Sequence, residues 1–179
     1  ILRNGNHLLG LINAVLDLSK IEAGRMTLSL APTDLHEVIL SAVTDTAPLR
    51  TAKLQEMRLE IGTEPLPVLA DGVRIRQILY NLLSNASKFT PEGGIVRIAA
   101  TEDDGWVTIR IADTGIGIPP RDIDKLGRPF EQVENQFTKT KGGSGLGLAI
   151  SKSLIELHGG SLEIRSAVGS GTEVTVHLP

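Results

Sequence analysis

Three stretches of this chain combine residue types and spacings that chemistry can use. The first is KGGSGLGLAIS, Lys141 to Ser151, in which four glycines fall within six positions ahead of an apolar, helix-like run. Backbone N–H groups at such a helix start, together with the helix dipole, favour an anion such as phosphate. Lys139 and Lys141 add positive charge just before it. The stretch lacks the Gly-Lys-Ser/Thr of the common phosphate loop, and its glycine spacing differs from the dinucleotide fingerprint. A flexible hinge ahead of a core helix is the other reading of these residues.

The second stretch is VRIRQILYNLLSNASKFT, residues 73–90. Ile75, Ile78, Leu79, Leu82, Leu83, Ala86 and Phe89 fall on one face of a helix, and Gln77, Asn81, Asn85 and Lys88 on another. Asn81 and Asn85 are one turn apart and Lys88 lies three residues beyond Asn85, so all three can reach one ligand. Asn prefers caps and turns, so two of them inside a helix need a reason. An amide oxygen is a neutral hard ligand suited to Mg²⁺, which also takes waters and phosphate oxygens. A lysine one turn on can neutralise those phosphates. A solvated polar face is the plainer alternative.

The third is DTGIGIP, Asp113 to Pro119, at the end of a run with Val107, Ile109 and Ile111. A carboxylate at a strand end can accept from an exocyclic amine such as adenine N6, and glycines let a flat ring approach the backbone. A tight turn after a strand is the alternative.

The elements that must position these stretches follow from periodicity. Residues 1–22 read as one helix with a wide apolar stripe at Leu8, Leu9, Leu11, Ile12, Val15, Leu16 and Leu18, ended by Gly24. The stripe either packs on another chain or a missing segment, or folds back on the domain core. Met26, Leu28 and Leu30 alternate, which predicts a short strand. Asp34 caps a helix to about Lys53 that Pro48 can disturb. Met57, Leu59 and Ile61 alternate again, and Asp71 caps the helix carrying Asn81 and Asn85. Strands are predicted around 94–102 and 106–113, joined by the turn Glu102-Asp103-Asp104-Gly105. Residues 114–144 read as a long loop, which a compact domain keeps for a functional reason. A helix from about Gly145 to His158 and strands at about 161–166 and 172–178 complete the pattern. Strands joined by short turns favour an α+β fold, a mixed and mostly antiparallel sheet with helices on one face.

Composition narrows the function. The chain has 179 residues, enough for one domain with a core, and 41% hydrophobic and 22% charged residues mark an ordinary soluble protein. It has no cysteine, which removes disulfides, cysteine–zinc sites and thiol nucleophiles. A net charge of −3 gives no general attraction to nucleic acid or membrane. One Trp, one Tyr and three Phe argue against a base-stacking platform. No apolar run reaches membrane-spanning length and no signal peptide is visible. The chain starts at Ile1, which suggests a piece of a longer, cytoplasmic or membrane-anchored parent.

Read in order, the motifs resemble one family. Asn81-Leu-Leu-Ser-Asn85-Ala-Ser-Lys88-Phe-Thr, Asp113-Thr-Gly-Ile-Gly, Pro129-Phe130-Glu131-Gln132, Gly143-Ser-Gly145-Leu-Gly147-Leu and Gly169-Ser-Gly171-Thr172 resemble the ATP-binding domain of sensor histidine kinases. The resemblance covers about residues 30–179. Residues 1–24, ending LDLSKIEAG, are similar to the second helix of that family's dimerisation and phosphotransfer hairpin. The resemblance implies a Bergerat-type two-layer α/β sandwich over residues 25–179, with a lid at about 114–144. It implies that Asp113 receives the adenine amine, with Thr172 helping through a water, in a pocket shaped by Gly115, Gly117 and Ile118. It implies that Asn85 ligates Mg²⁺ while Asn81 and Lys88 lie near the ATP phosphates, these three forming the catalytic set. Lys141, Gly143, Ser144, Gly145, Leu146 and Gly147 would form the lid's hinge and phosphate contact, and Phe130 would anchor the lid.

The resemblance also implies what is missing. Related ATPases such as gyrase carry a Glu one turn before the metal-binding Asn, to polarise water. Here that residue is Asn81, and an amide cannot act as a general base. Phosphoryl transfer to another nucleophile is expected, with very slow hydrolysis. His7 is followed by Leu8-Leu9-Gly10 and does not match the family's phosphoacceptor, while His36, His158 and His177 fall in the ATP-binding part. The expected acceptor is a histidine on a hairpin of the parent kinase, the onward partner a response regulator, and residues 1–22 a possible homodimer contact. The fragment itself is expected to touch neither nucleic acid nor membrane. The rival readings are a nucleotide-binding or docking module of a degenerate kinase, and an anti-sigma-type serine kinase, against which LDLSKIEAG argues.

Overall fold

The computed structural model of the chain describes residues 2–131 and 144–179. Among them the order is α1 (Leu2–Glu22), β1 (Ala31–Asp34), α2 (Leu35–Thr51), β2 (Glu56–Ile61), β3 (Pro67–Ala70), α3 (Gly72–Phe89), β4 (Ile95–Asp103), β5 (Trp106–Asp113), α4 (Pro120–Ile123), α5 (Gly147–Leu157), β6 (Ser161–Ala167) and β7 (Gly171–Leu178). Five strands form one sheet in the spatial order β2-β4-β5-β7-β6, and β1 pairs with β3 separately. β2 is parallel to β4, and the remaining pairs are antiparallel. The β4–β5 hairpin turns through Asp104 and Gly105, both at positive φ, as a two-residue turn requires.

The sheet is amphipathic by alternation. Val96, Ile98, Val107, Ile109, Ile111 and Val176 are buried on one face, where α2, α3 and α5 pack. Arg97, Arg110, Glu163 and Arg165 take the alternate, outward positions. The starts of α2 and α3 are fixed by carboxylates. Asp34 accepts from the N–H groups of His36 and Leu66 at 3.0 and 2.9 Å. Asp71 accepts from Arg74 N at 3.2 Å and from Ser29 N at 3.0 Å. The Asp71 N–H donates to Nε2 of buried His158 at 3.0 Å, which ties the start of α3 to the end of α5.

Three sequence expectations need correction. The alternation at Met26, Leu28 and Leu30 is not a strand; the paired segment begins at Ala31. Met26 and Leu28 do pack on the core, but Ser29 N–H goes to the Asp71 carboxylate instead of a ladder. β3 was not expected, because four residues starting at Pro67 carry too short a pattern. The long loop after β5 contains the one-turn helix α4. The helix at 35–51 runs on past Pro48. The two readings of the α1 stripe divide along the helix. Leu18 is buried, Ala14 and Ile21 pack on the core, and Asp17 pairs with Arg74 at 2.9 Å. Leu8, Leu9, Ile12, Val15 and Leu16 remain exposed.

Candidate nucleotide site

A cavity of about 320 Å³ opens between α3, the start of α5 and the ends of the three strands β5, β7 and β6. Strand register builds its floor. Ile111 pairs with Val174, which pairs with Ile164. Two residues further along the same face, Asp113 pairs with Thr172, which pairs with Ser166. An apolar row therefore lies beside a polar row, and Ile111, Val174, Ile164, Asp113 and Thr172 all line the cavity.

Asp113 is the electrostatic centre. Burial pushes its carboxyl up to about 6, while the backbone N–H groups of Gly115 and Thr172 pull the other way. Gly115 N–H donates to Oδ1 at 2.8 Å. The turn that holds this carboxylate leaves no room for side chains. A Cβ on Gly117 would run into the Ala167 carbonyl, and one on Gly171 into the Asp113 carbonyl; both residues also sit at positive φ, 69° and 83°. Ile116 accepts from Gly169 N at 2.8 Å, so the 115–118 turn is stitched to the β6–β7 turn.

α3 supplies the opposite wall. Asn81, Asn85 and Lys88 all line the cavity, on the helix face away from its fully buried Ile75, Ile78, Leu79 and Leu83. Asn81 Nδ2 lies 3.4 Å from both Gly147 O and Ser151 Oγ of α5. Lys88 Nζ sits 5.0 Å from the centre of the Phe89 ring. The end of this helix is clamped from outside the cavity. Lys53 Nζ donates to the carbonyls of Ser87, Lys88 and Thr90 at 2.7, 2.9 and 2.8 Å. Gln55 Nε2 reaches the carbonyls of Ser87 and Thr90, and its Oε1 accepts from Ser87 Oγ at 2.7 Å. A cation on exposed C-terminal carbonyls is the favourable sign for a helix end.

The start of α5 closes a third side. Ser144, Gly145, Gly147 and Leu148 line the cavity. Gly145 sits at φ 70°, and a Cβ there would press on the backbone of Phe130 and Glu131. Leu146 O accepts from Ile150 N at 2.9 Å and Leu146 N–H donates to Ser144 Oγ at 3.2 Å, and an α-helix leaves its first-turn N–H groups without partners inside the helix.

Residues 70–179 match a known family model, the histidine kinase-, DNA gyrase B- and HSP90-like ATPases. The chain belongs to that family. Within it, the chain is similar to histidine kinases. It is 46% identical over 181 residues to the Non-motile and phage-resistance protein of Caulobacter vibrioides, a match covering 98% of this chain and 21% of that protein. It is 43% identical to Histidine protein kinase DivJ of the same organism, covering 98% of this chain and 29% of DivJ. Full-length ShkA in its AMPPNP complex superposes with a TM-score of 0.86 and 36% identity, over 99% of this chain and 36% of the ShkA chain. The chain thus spans well under half the length of each of these relatives, and the α+β sandwich is that of histidine kinase catalytic domains.

Of the residues that the motifs of this ATPase family single out in the sequence, Asn81, Asn85, Lys88, Asp113, Gly117, Ile118, Ser144, Gly145, Gly147 and Thr172 converge on the one cavity. Gly115 stands behind its wall, where a Cβ would meet Asp113 Oδ1 and Phe89 O. Two residues are not brought to the cavity. Leu146 is buried at 1% exposure, its N–H accepted by Ser144 Oγ, so it anchors α5. Phe130 is 65% exposed at a φ of 64°, its ring outside the cavity. Lys141 and Gly143 lie outside the described residues. Sequence reading missed the apolar lining of Leu82, Ala86, Ile111, Ile116, Ile164 and Val174, together with Leu126, Gly127 and Glu131. The alternation of β5 marks Ile111 as buried, but only strand register shows that it faces the cavity.

The site fits an adenine nucleotide. It has an apolar floor for a ring, a carboxylate acceptor at the strand end, glycine turns that a Cβ would fill, and a helix start beside Asn and Lys side chains. For the metal the donor set is thin. No cluster of three His, Cys, Asp or Glu ligands is present among the described residues. Mg²⁺ keeps waters and takes phosphate oxygens with few protein ligands, and the Asn85 amide oxygen on the cavity wall is a hard donor of the kind it accepts. Among the described residues no helix is long and apolar enough to cross a membrane.

Proposed function

We propose that residues 25–179 bind Mg-ATP and deliver its γ-phosphoryl group to a histidine carried by the parent kinase, and that residues 1–24 are part of the hairpin that presents it. The observation that carries this reading is the convergence of Asp113 with Asn81, Asn85 and Lys88 on one cavity whose floor is apolar. Asp113 accepts the adenine amine, while the Ile111, Val174 and Ile164 row takes the ring face. Asn85 would be a protein ligand of the metal. Lys88 and the N-terminus of α5, with Ser144, Gly145 and Gly147, cradle the phosphates. Mg²⁺, when bound, would neutralise phosphate charge. The protein's remaining task is to hold the γ-phosphorus in line with the incoming imidazole nitrogen and keep water out.

Two features favour transfer over hydrolysis. Asn81 lacks a proton-accepting carboxylate, and its amide nitrogen is directed at α5. No histidine with a described side chain faces the cavity: His158 is buried between Asp71 N and Leu154 O, and His177 contacts Thr108 Oγ1. The acceptor therefore comes from elsewhere in a cytoplasmic kinase, and a response regulator receives the phosphoryl group next. The direct test is calorimetric binding of a nonhydrolysable ATP analogue with and without Mg²⁺. Wild type should bind more tightly with the metal, and Asn85→Ala should bind the analogue with no metal dependence. Wild type that is folded and binds no nucleotide would move the docking-module reading ahead.

A further inference from the structure

We propose that Ser166 is a positioning residue that sets the nucleobase preference of this site by fixing the direction of the Thr172 hydroxyl proton. The inference rests on the adenine reading of Asp113 given above. Ser166 Oγ lies 2.8 Å from Ile118 N, 2.8 Å from Gly171 O and 2.9 Å from Thr172 Oγ1. The donor roles in this cluster have one solution. An amide N–H only donates, a carbonyl only accepts, and a hydroxyl has one proton and two lone pairs. Ser166 gives its proton to Gly171 O and accepts from Ile118 N–H. Its second lone pair is left for Thr172, so Thr172 is the donor of that pair.

The consequence reaches the cavity through Thr172. Ser166 has no valence left for a ligand and is not on the cavity wall, whereas Thr172 is. With its proton held on Ser166, Thr172 turns lone pairs toward the ligand. Asp113, directly across the ladder from it, is an acceptor too. Two acceptors side by side favour a base edge that carries an amine. They disfavour one that carries a keto oxygen, whether contact is direct or through a water. A site built around a required hydrogen bond discriminates against the analogue that lacks it. Without Ser166, the Thr172 proton is free to rotate and donate to a keto oxygen, and the discrimination relaxes. Ser166 also pins Ile118 to the β6–β7 turn, so a purely structural role would weaken every nucleotide alike.

The experiment compares nonhydrolysable ATP and ITP analogues, which differ at the amine-or-keto position, by calorimetry with Mg²⁺ at pH 8. The proteins are wild type, Ser166→Ala, Ser166→Thr, Thr172→Val and the Ser166→Ala/Thr172→Val double variant. Ser166→Ala should lower the ATP-to-ITP affinity ratio by about 3–10-fold, and Ser166→Thr, which keeps the hydroxyl, should restore it. In the Thr172→Val background the same Ser166→Ala change should move the ratio by less than about 2-fold. Equal loss for both analogues in Ser166→Ala overturns the proposal, as does an undiminished effect in the Thr172→Val background. Should Ser166→Ala not fold, Ser166→Cys, whose thiol is a weak donor and acceptor, must shift the ratio in the same direction, and an unchanged ratio overturns the idea. Wild type that binds neither analogue overturns the adenine reading and this inference together. Wild type that prefers ATP beside a Ser166→Ala variant with the same preference overturns only the role of Ser166.

Discussion

Asp113 should cost the empty domain stability, and replacing it should show how much. Its carboxyl is raised from 3.8 to about 6 because burial opposes its charge more than the Gly115 and Thr172 N–H groups favour it. A folded value above the unfolded one means the native state keeps its proton over a range where the unfolded chain has lost it. The stabilising contribution is complete below about pH 4 and is lost as pH rises through about 6. The full shift corresponds to about 3 kcal/mol, and because part of the carboxyl faces the open cavity, screening reduces this to about 1–2 kcal/mol. Asp113→Asn removes the charge and keeps an oxygen for the Gly115 N–H. At pH 8 the variant should therefore melt about 3–6 °C above wild type in the absence of nucleotide. Thermal denaturation followed by circular dichroism at pH 4, 5, 6, 7 and 8 measures this. The gap should be near zero at pH 4, open between pH 4 and 6, and stay constant above. The same variant should lose affinity for the ATP analogue, since the amide presents a donor to the adenine amine. A variant less stable than wild type at pH 8, or a gap that does not change with pH, would refute the reasoning.

Gly171→Ala places a methyl group against the Asp113 carbonyl at a φ of 83°, so it should destabilise the fold by at least about 2 kcal/mol in urea unfolding; a midpoint equal to that of wild type contradicts the packing described. Lys53→Met removes a cation held by three carbonyls at the end of α3. It should cost about 1–3 kcal/mol, read from the same transition, and an unchanged midpoint shows the clamp is idle. Incubated with γ-labelled ATP, the chain alone should release phosphate very slowly and keep no acid-labile label, and fast turnover defeats the assignment of Asn81 as a non-basic residue.

Much of the site was readable along the chain because its polar parts are local. The 3.6-residue period puts Asn81, Asn85 and Lys88 on one side of α3 whatever the rest of the fold does. Asp113 and its glycines announce a strand end, and Asp34 and Asp71 announce helix starts, because caps are short-range hydrogen bonds. Where the local signal was weak, the reading failed: β3 is too short to show a period, and Met26 and Leu28 are partly buried without pairing while Leu30 is exposed. Phe130 and Leu146 sit inside motifs, but one faces outward and the other packs in the core.

The sequence by itself determined the chemistry of the residues proposed to bind a nucleotide and most of the elements that carry them, since those properties depend on side-chain type and on periods of two and 3.6. Only the tertiary structure decided how they meet. Antiparallel register brings Ser166 beside Thr172 and Thr172 beside Asp113, although Ser166 and Asp113 are far apart in the chain. The same register lays Ile111, Val174 and Ile164 in a row under the cavity. Lys53 and Gln55 reach the end of α3 across more than thirty residues, at separations from 32 to 37. Such pairings depend on how strands and helices stack, and a hydrogen bond between distant residues leaves no periodic trace in either segment.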